Sequence, residues 1–114
     1  MHVTALICFC TCPDADTAER IATALVEERL AACVNIVPGV RSVYRWQNAV
    51  ERAEEVLLLV KTMPAHFELL KLRLLELHPY ELPELLAVET DFGDPDYLLW
   101  VAAQTRPVQT IPED

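Results

Sequence analysis

Glycine is almost missing from this 114-residue chain, which has only Gly39 and Gly93. Neither opens a helix, so there is no glycine-rich turn of the kind that cradles a phosphate on backbone N–H groups. Basic residues are also few, nine against eighteen acidic ones, which leaves a formal net charge of −9. No Lys/Arg cluster interrupts that negative surface, and its sign repels phosphate backbones, so nucleic acid is excluded as a partner. Long apolar runs are lacking as well. None approaches the ~20 residues of a membrane-spanning helix, and no membrane association is expected. Residues 3–10 have no basic segment before them and no small-residue cleavage site after them, so they do not read as a signal peptide. The expected location is the cytoplasm, where the four cysteines are reduced thiols. Their spacings match none of the usual metal fingers.

What is present is globular: 53% hydrophobic and 24% charged residues. The length suits one domain, read here as residues 1–105 with a short tail at 106–114. A chain this small buries only roughly two thirds of its unfolded surface, so an apolar fraction at the high end implies burial between subunits. Residues 3–10 read as a strand, ended by Pro13 and Asp14. Asp16 followed by Glu19 has the spacing of a capping box and starts a helix, with Ala18, Ile21, Ala22, Leu25 and Ala32 on its apolar stripe. Residues 33–46 and 50–62 are two extended arms joined at Gln47-Asn48-Ala49, with a bulge expected at Pro38-Gly39. Val56 to Val60 is apolar on both parities, which predicts a central strand covered on both faces. Glu51, Arg52, Glu54 and Glu55 read as a solvated tip. Pro64 begins a second helix with Phe67, Leu70, Leu74 and Leu77 on one stripe, and Leu69, Leu72 and Leu75 on other sides. His78-Pro79 stops it. A strand at 85–92 and a third helix capped by Asp94-Pro95 follow. The order β-α-β-β-α-β with an extra C-terminal helix is an α+β, ferredoxin-like sandwich.

The arms decide the assembly. At ~3.3 Å per residue, the first arm spans about 46 Å and outer strands of eight residues about 26 Å. Part of the hairpin must project past the body, and an isolated two-stranded ribbon is marginal in water. Tyr44 and Trp46, two apart, share one face of the projecting end. The expectation is a homo-oligomer, with Tyr44, Trp46, Lys61, Tyr80 and Trp100 at the clefts between sister chains. Lys61 ends the buried strand, where it either meets an anion or a carboxylate or snorkels to solvent.

Cys8, Cys10 and Cys12 alternate along strand one and share a face. Thiolates so spaced suit Cu(I) or Zn(II), while the same pattern also describes small residues packed under a helix. Cys12 is expected to be the most exposed of them. His78-Pro-Tyr80 with Pro83-Glu84 is a rigid connection carrying an imidazole, a phenol and a carboxylate, suited to metal binding or to a polar helix end. Topology brings His78 and Glu84 to the Cys10 end of the sheet and leaves Cys33 at the other end, within reach of Cys10 only through a neighbouring chain. His2 and His66 read as an exposed terminus and a solvated helix face. No Ser-His-Asp or Cys-His order identifies a catalytic centre, so an enzyme is not expected.

Thr11-Cys12-Pro13-Asp14, Leu30-Ala-Ala-Cys33-Val-Asn35, Pro38-Gly39, Ser42-Val-Tyr44-Arg-Trp46, Lys61-Thr62, His78-Pro79-Tyr80, Pro83-Glu84 and Tyr97-Leu-Leu-Trp100 together resemble the CutA divalent-cation tolerance family. The resemblance runs from about Val3 to Trp100. It implies a tight homotrimer in which long ribbons complete sheets between subunits. It also implies a part in tolerance or response to metal ions, with copper or another divalent cation bound and no organic cofactor. The metal-associated positions it implies are Cys10, Cys33, His78 and Glu84. Some members carry two consecutive histidines before the proline; this chain has Leu77-His78. The competing function is a signalling or scaffolding trimer that binds a small effector or a partner protein at its inter-subunit clefts.

Overall fold

Alternation decides the first strand. In the computed structural model, which describes residues 3–107, β1 runs over Leu6–Cys12, and every second residue from Leu6 to Cys12 is buried. The strand is shifted from the expected 3–10 because its partner holds it that far: β3, Ala49–Thr62, pairs antiparallel with β1 from Leu6↔Thr62 to Cys12↔Val56. Helix α1 covers Ala15–Glu27, and its N-cap is Asp14, not Asp16. The Asp14 carboxylate accepts from the Thr17 N–H at 2.7 Å, the reach of an N-cap to N3. Thr17, Ala18, Ile21, Ala22 and Leu25 face the core. Ala32, expected on that stripe, lies beyond the helix and packs with Ala5 and Val101.

β2, Cys33–Trp46, pairs antiparallel with β3 along its whole length, broken by a bulge between Val37 and Val40. Gly39 takes φ +78 there, a conformation other residues enter only under strain. Gln47 and Asn48, both at positive φ, make the tight turn, so β3 begins one residue earlier than expected. A 3₁₀ turn over Pro64–His66 leads into α2, Phe67–Leu77. Leu70 and Leu74 are buried, with Phe67 and Leu77 partly so. His66 is buried rather than solvated. β4 is only Leu86–Glu89, half the expected length, and pairs with β1. α3, Pro95–Gln104, starts on the Asp94 cap.

The sheet order is β2-β3-β1-β4, the ferredoxin-like arrangement, with a third helix added. Cys8, Cys10, Cys12, Leu58 and Val60 form the core with Ile21, Leu25, Leu70 and Leu74 of the helices. The other face of the central strands, including Ile7, Phe9, Leu57 and Leu59, is only half-buried, so one chain does not cover both faces of β3 as expected. Beyond Cys12↔Val56, residues 40–46 and 49–55 pair only with each other. The molecule is drawn out to 55 × 31 × 25 Å. Among the described residues no helix is long and apolar enough to cross a membrane. His2 and residues 108–114 of the tail lie outside the described part.

Candidate metal centre

The pleat of β1 points Cys10 and Cys12 to the same side, and α2 ends directly over them. Pro79 denies residue 78 a helical conformation, and His78 turns out of the helix at φ −79, ψ 134. Its ring lands against the end of β1. Donor atoms of Cys10, Cys12 and His78 lie within 4.8 Å of one another, and all three residues are buried. No other group of three or more His, Cys, Asp or Glu side chains gathers this closely among the described residues. Cys12 therefore has no exposure, against expectation, because the His78–Tyr80 segment folds across the strand end.

Both imidazole nitrogens are engaged. Nδ1 accepts from the Tyr80 N–H at 3.1 Å, so Nε2 carries the proton and donates to the Thr11 carbonyl at 2.8 Å. These two bonds fix the orientation of the ring. The Tyr80 ring packs on it with centroids 4.7 Å apart. The Tyr80 hydroxyl donates to Oε2 of Glu55 at 2.8 Å. Glu55 is 8% exposed and so does not belong to the solvated tip read from the sequence. Nothing local marks it as different from Glu51 and Glu54; the signal is its register, one residue beyond the last β1 pairing.

Charge within this end of the sheet is unevenly shared. Cys10 holds its proton well above the ordinary thiol range, first because it hydrogen-bonds Cys12 and then because burial penalises the thiolate. Nearby Glu84 and Glu55 add to that rise. Cys12, on the receiving side of that bond, is lowered and ionises first of the two. Burial alone pushes Cys8 up to about 11. The Tyr80 phenol is raised, by burial first and by the Glu55 hydrogen bond next.

Beside the cluster, a cavity of about 690 Å³ opens between the root of the ribbon and the loop after His78. Glu84, named from sequence as a ligand, lines this cavity together with Tyr44, Trp46, Glu55 and Tyr80, and stands outside the three-residue cluster. Tyr44 and Trp46 are partly exposed on the ribbon. Cys33 sits opposite Lys61, at the far end of the sheet from Cys10. The Lys61 ammonium donates to the Asn35 side-chain oxygen. Trp100 stacks on Tyr97 in α3, centroids 5.7 Å apart, and stands outside the three-residue cluster.

A model of the family described as CutA1 divalent ion tolerance protein matches residues 6–104. The divalent-cation tolerance protein CutA of Thermus thermophilus is 53% identical over 95 residues, 83% of this chain and 92% of that protein. Its counterpart in Pectobacterium atrosepticum is 44% identical over 102 residues, 90% of this chain and 93% of that protein. Among solved structures, the divalent cation tolerance protein Cut A1 of Thermus thermophilus superposes with a TM-score of 0.88 at 49% identity, covering 90% of this chain and 99% of that one. CutA of Xylella fastidiosa superposes with a TM-score of 0.87 at 46% identity, covering 92% and 100%.

Proposed function

This chain belongs to the CutA1 family of divalent ion tolerance proteins, and from that membership we propose that it binds copper, or another divalent cation, as a homotrimer serving metal tolerance. The observation that carries the reading is the buried approach of Cys10, Cys12 and His78 within 4.8 Å. Two sulfurs and an imidazole nitrogen form a soft donor set, suited to copper and zinc over magnesium or calcium. When bound, the ion would be held mainly by the thiolates. His78 joins only by giving up the Tyr80 N–H at Nδ1 or the Thr11 carbonyl at Nε2. Cys33 and Glu84 lie outside this cluster; Glu84 lines the cavity beside it. Free thiols, the state of all four cysteines here, go with the cytoplasmic location expected from the sequence. The role is that of a binding protein, with no catalytic step assigned.

Assembly is supported by surface that one chain leaves bare. Phe9 and Leu59 on the helix-free face are half-buried, while Leu86 and Val88 of β4 beside them are exposed. Projecting ribbon and short edge strand both leave backbone groups that a sister chain can pair.

Native mass spectrometry with and without copper and zinc reads subunit number and ion count together. The expected species is a trimer carrying one copper per chain. Cys10→Ala and Cys12→Ala should each abolish stoichiometric uptake, and His78→Ala should weaken it. Unchanged uptake by the Cys10→Ala/Cys12→Ala double variant would end the assignment.

A further inference from the structure

The metal centre offers fewer donors than a divalent ion needs. Resting on the reading of that centre as a copper or zinc site, we propose that the ion it takes is monovalent copper, Cu(I). The sulfurs of Cys10 and Cys12 hold it between them, with His78 a third and weaker ligand. Both cysteines lie in the core between the sheet and its helices, so these donors come from one chain whatever surface a sister chain covers.

The number and kind of donors set the ion. Sulfurs within 4.8 Å of each other can share one ion at the ~2.3 Å of a metal–thiolate bond. Zinc takes four ligands, closing the set with protein atoms or leaving the last place to water. Among the described residues no fourth His, Cys, Asp or Glu atom joins the cluster, and its three members are buried, so water has no open approach. Divalent copper prefers nitrogen and oxygen in a tetragonal plane, and the cluster offers one nitrogen and no carboxylate. Cu(I) is soft, selects thiolate, and of these ions it alone is content with a low coordination number. The hydrogen bonds agree. Both imidazole nitrogens already have partners, the Tyr80 N–H and the Thr11 carbonyl. The thiols bond each other and, from Cys10 at 3.8 Å, the Thr11 carbonyl. An ion between the two sulfurs displaces only those weak contacts, whereas one that demands the ring must first break a stronger bond. Cys33 and Glu84 stand outside the cluster and have no part in it.

Anaerobic titration of the full chain with a Cu(I)–acetonitrile complex, against bicinchoninate as competitor, reads the affinity. One Cu(I) per chain is expected to be held against the competitor, and a tenfold excess of zinc sulfate should not displace it. Cys12→Ser should lower the Cu(I) affinity by about a hundredfold or more, and His78→Ala by much less. Cys33→Ser and Glu84→Gln should leave it unchanged. X-ray absorption on the unaltered, Cu(I)-loaded protein does not depend on any variant folding: the copper shell should hold two sulfurs and no more than one nitrogen. Displacement of Cu(I) by zinc, with the zinc retained by the same two cysteines, would overturn the choice of ion and leave the metal centre standing. A copper shell dominated by nitrogen and oxygen, or loss of Cu(I) affinity in folded Glu84→Gln, would overturn it too. Uptake of neither ion would overturn this choice and the metal centre together.

Discussion

His66 ends a 3₁₀ turn, where a polar ring ordinarily stays wet, yet it is 5% exposed. Burial is the main cause that lowers its pKa below the ordinary histidine value, and the charge of Arg106 adds to the lowering. A depressed folded pKa means that the neutral ring contributes stability in full above about pH 6.5, the unfolded value. That contribution is lost as pH falls through the lower, folded value. Stability at fixed chain concentration should therefore decline on acidification from pH 7, and His66→Gln should flatten this limb in a series of denaturant titrations; an unchanged slope would count against the burial account. Tyr80→Phe probes the neighbouring case. It strips the one hydroxyl donor from a buried carboxylate and should cost about 1–3 kcal/mol, whereas Glu55→Gln keeps an acceptor for Tyr80 and should cost less. His66, Glu55 and Cys12 differ from their sequence reading for one shared physical reason. The groups that cover them, Arg106, Tyr80 and the His78 segment, arrive from tens of residues away, and no local pattern encodes that approach.

At the scale of the element, local chemistry is more legible. The alternation of Cys8, Cys10 and Cys12 gave a strand with one buried face, and Pro38-Gly39 marked the bulge that the register shift between Val37 and Val40 now displays. Helix stops were readable because His78-Pro79 acts on the adjacent backbone. Helix starts were harder, since Asp14 and Asp16 both precede the first apolar stripe and only the 2.7 Å bond to Thr17 separates them. That bond predicts that Asp14→Ala lowers the midpoint of denaturant unfolding, and that Asp16→Ala lowers it much less. Gly39 makes a complementary case. A Cβ there would touch nothing within 4 Å, so only the backbone at φ +78 resists it. Gly39→Ala should accordingly cost about 1–2 kcal/mol, read as a shift in denaturation midpoint, without loss of oligomer.

For the whole molecule, chain order carries the topology. β-α-β-β-α-β closes into the order β2-β3-β1-β4, which sends Cys33 and Cys10 to opposite ends before any coordinate is known. The length of the arms was equally readable, because strand rise is nearly constant. What it left unsaid is which surface the proposed trimer would cover, since the half-buried face of β1 and β3 reads in sequence as part of one continuous core. The bare face now makes that question testable. Phe9 and Leu59 are cross-strand partners on it, and Leu86 of β4 lies on the other side of Phe9. A charge placed there would have to be buried unpaired in the assembly but stays solvated in a lone chain. Leu86→Glu, at 64% exposure, is the sparing choice, because it disturbs little within one subunit. Sedimentation equilibrium should show wild-type protein as a trimer and Leu86→Glu shifted toward monomer at the same concentration, with far-ultraviolet circular dichroism unchanged. A variant that remains trimeric would move the contact off this face and onto the ribbon, where Val43→Glu is the next substitution to make.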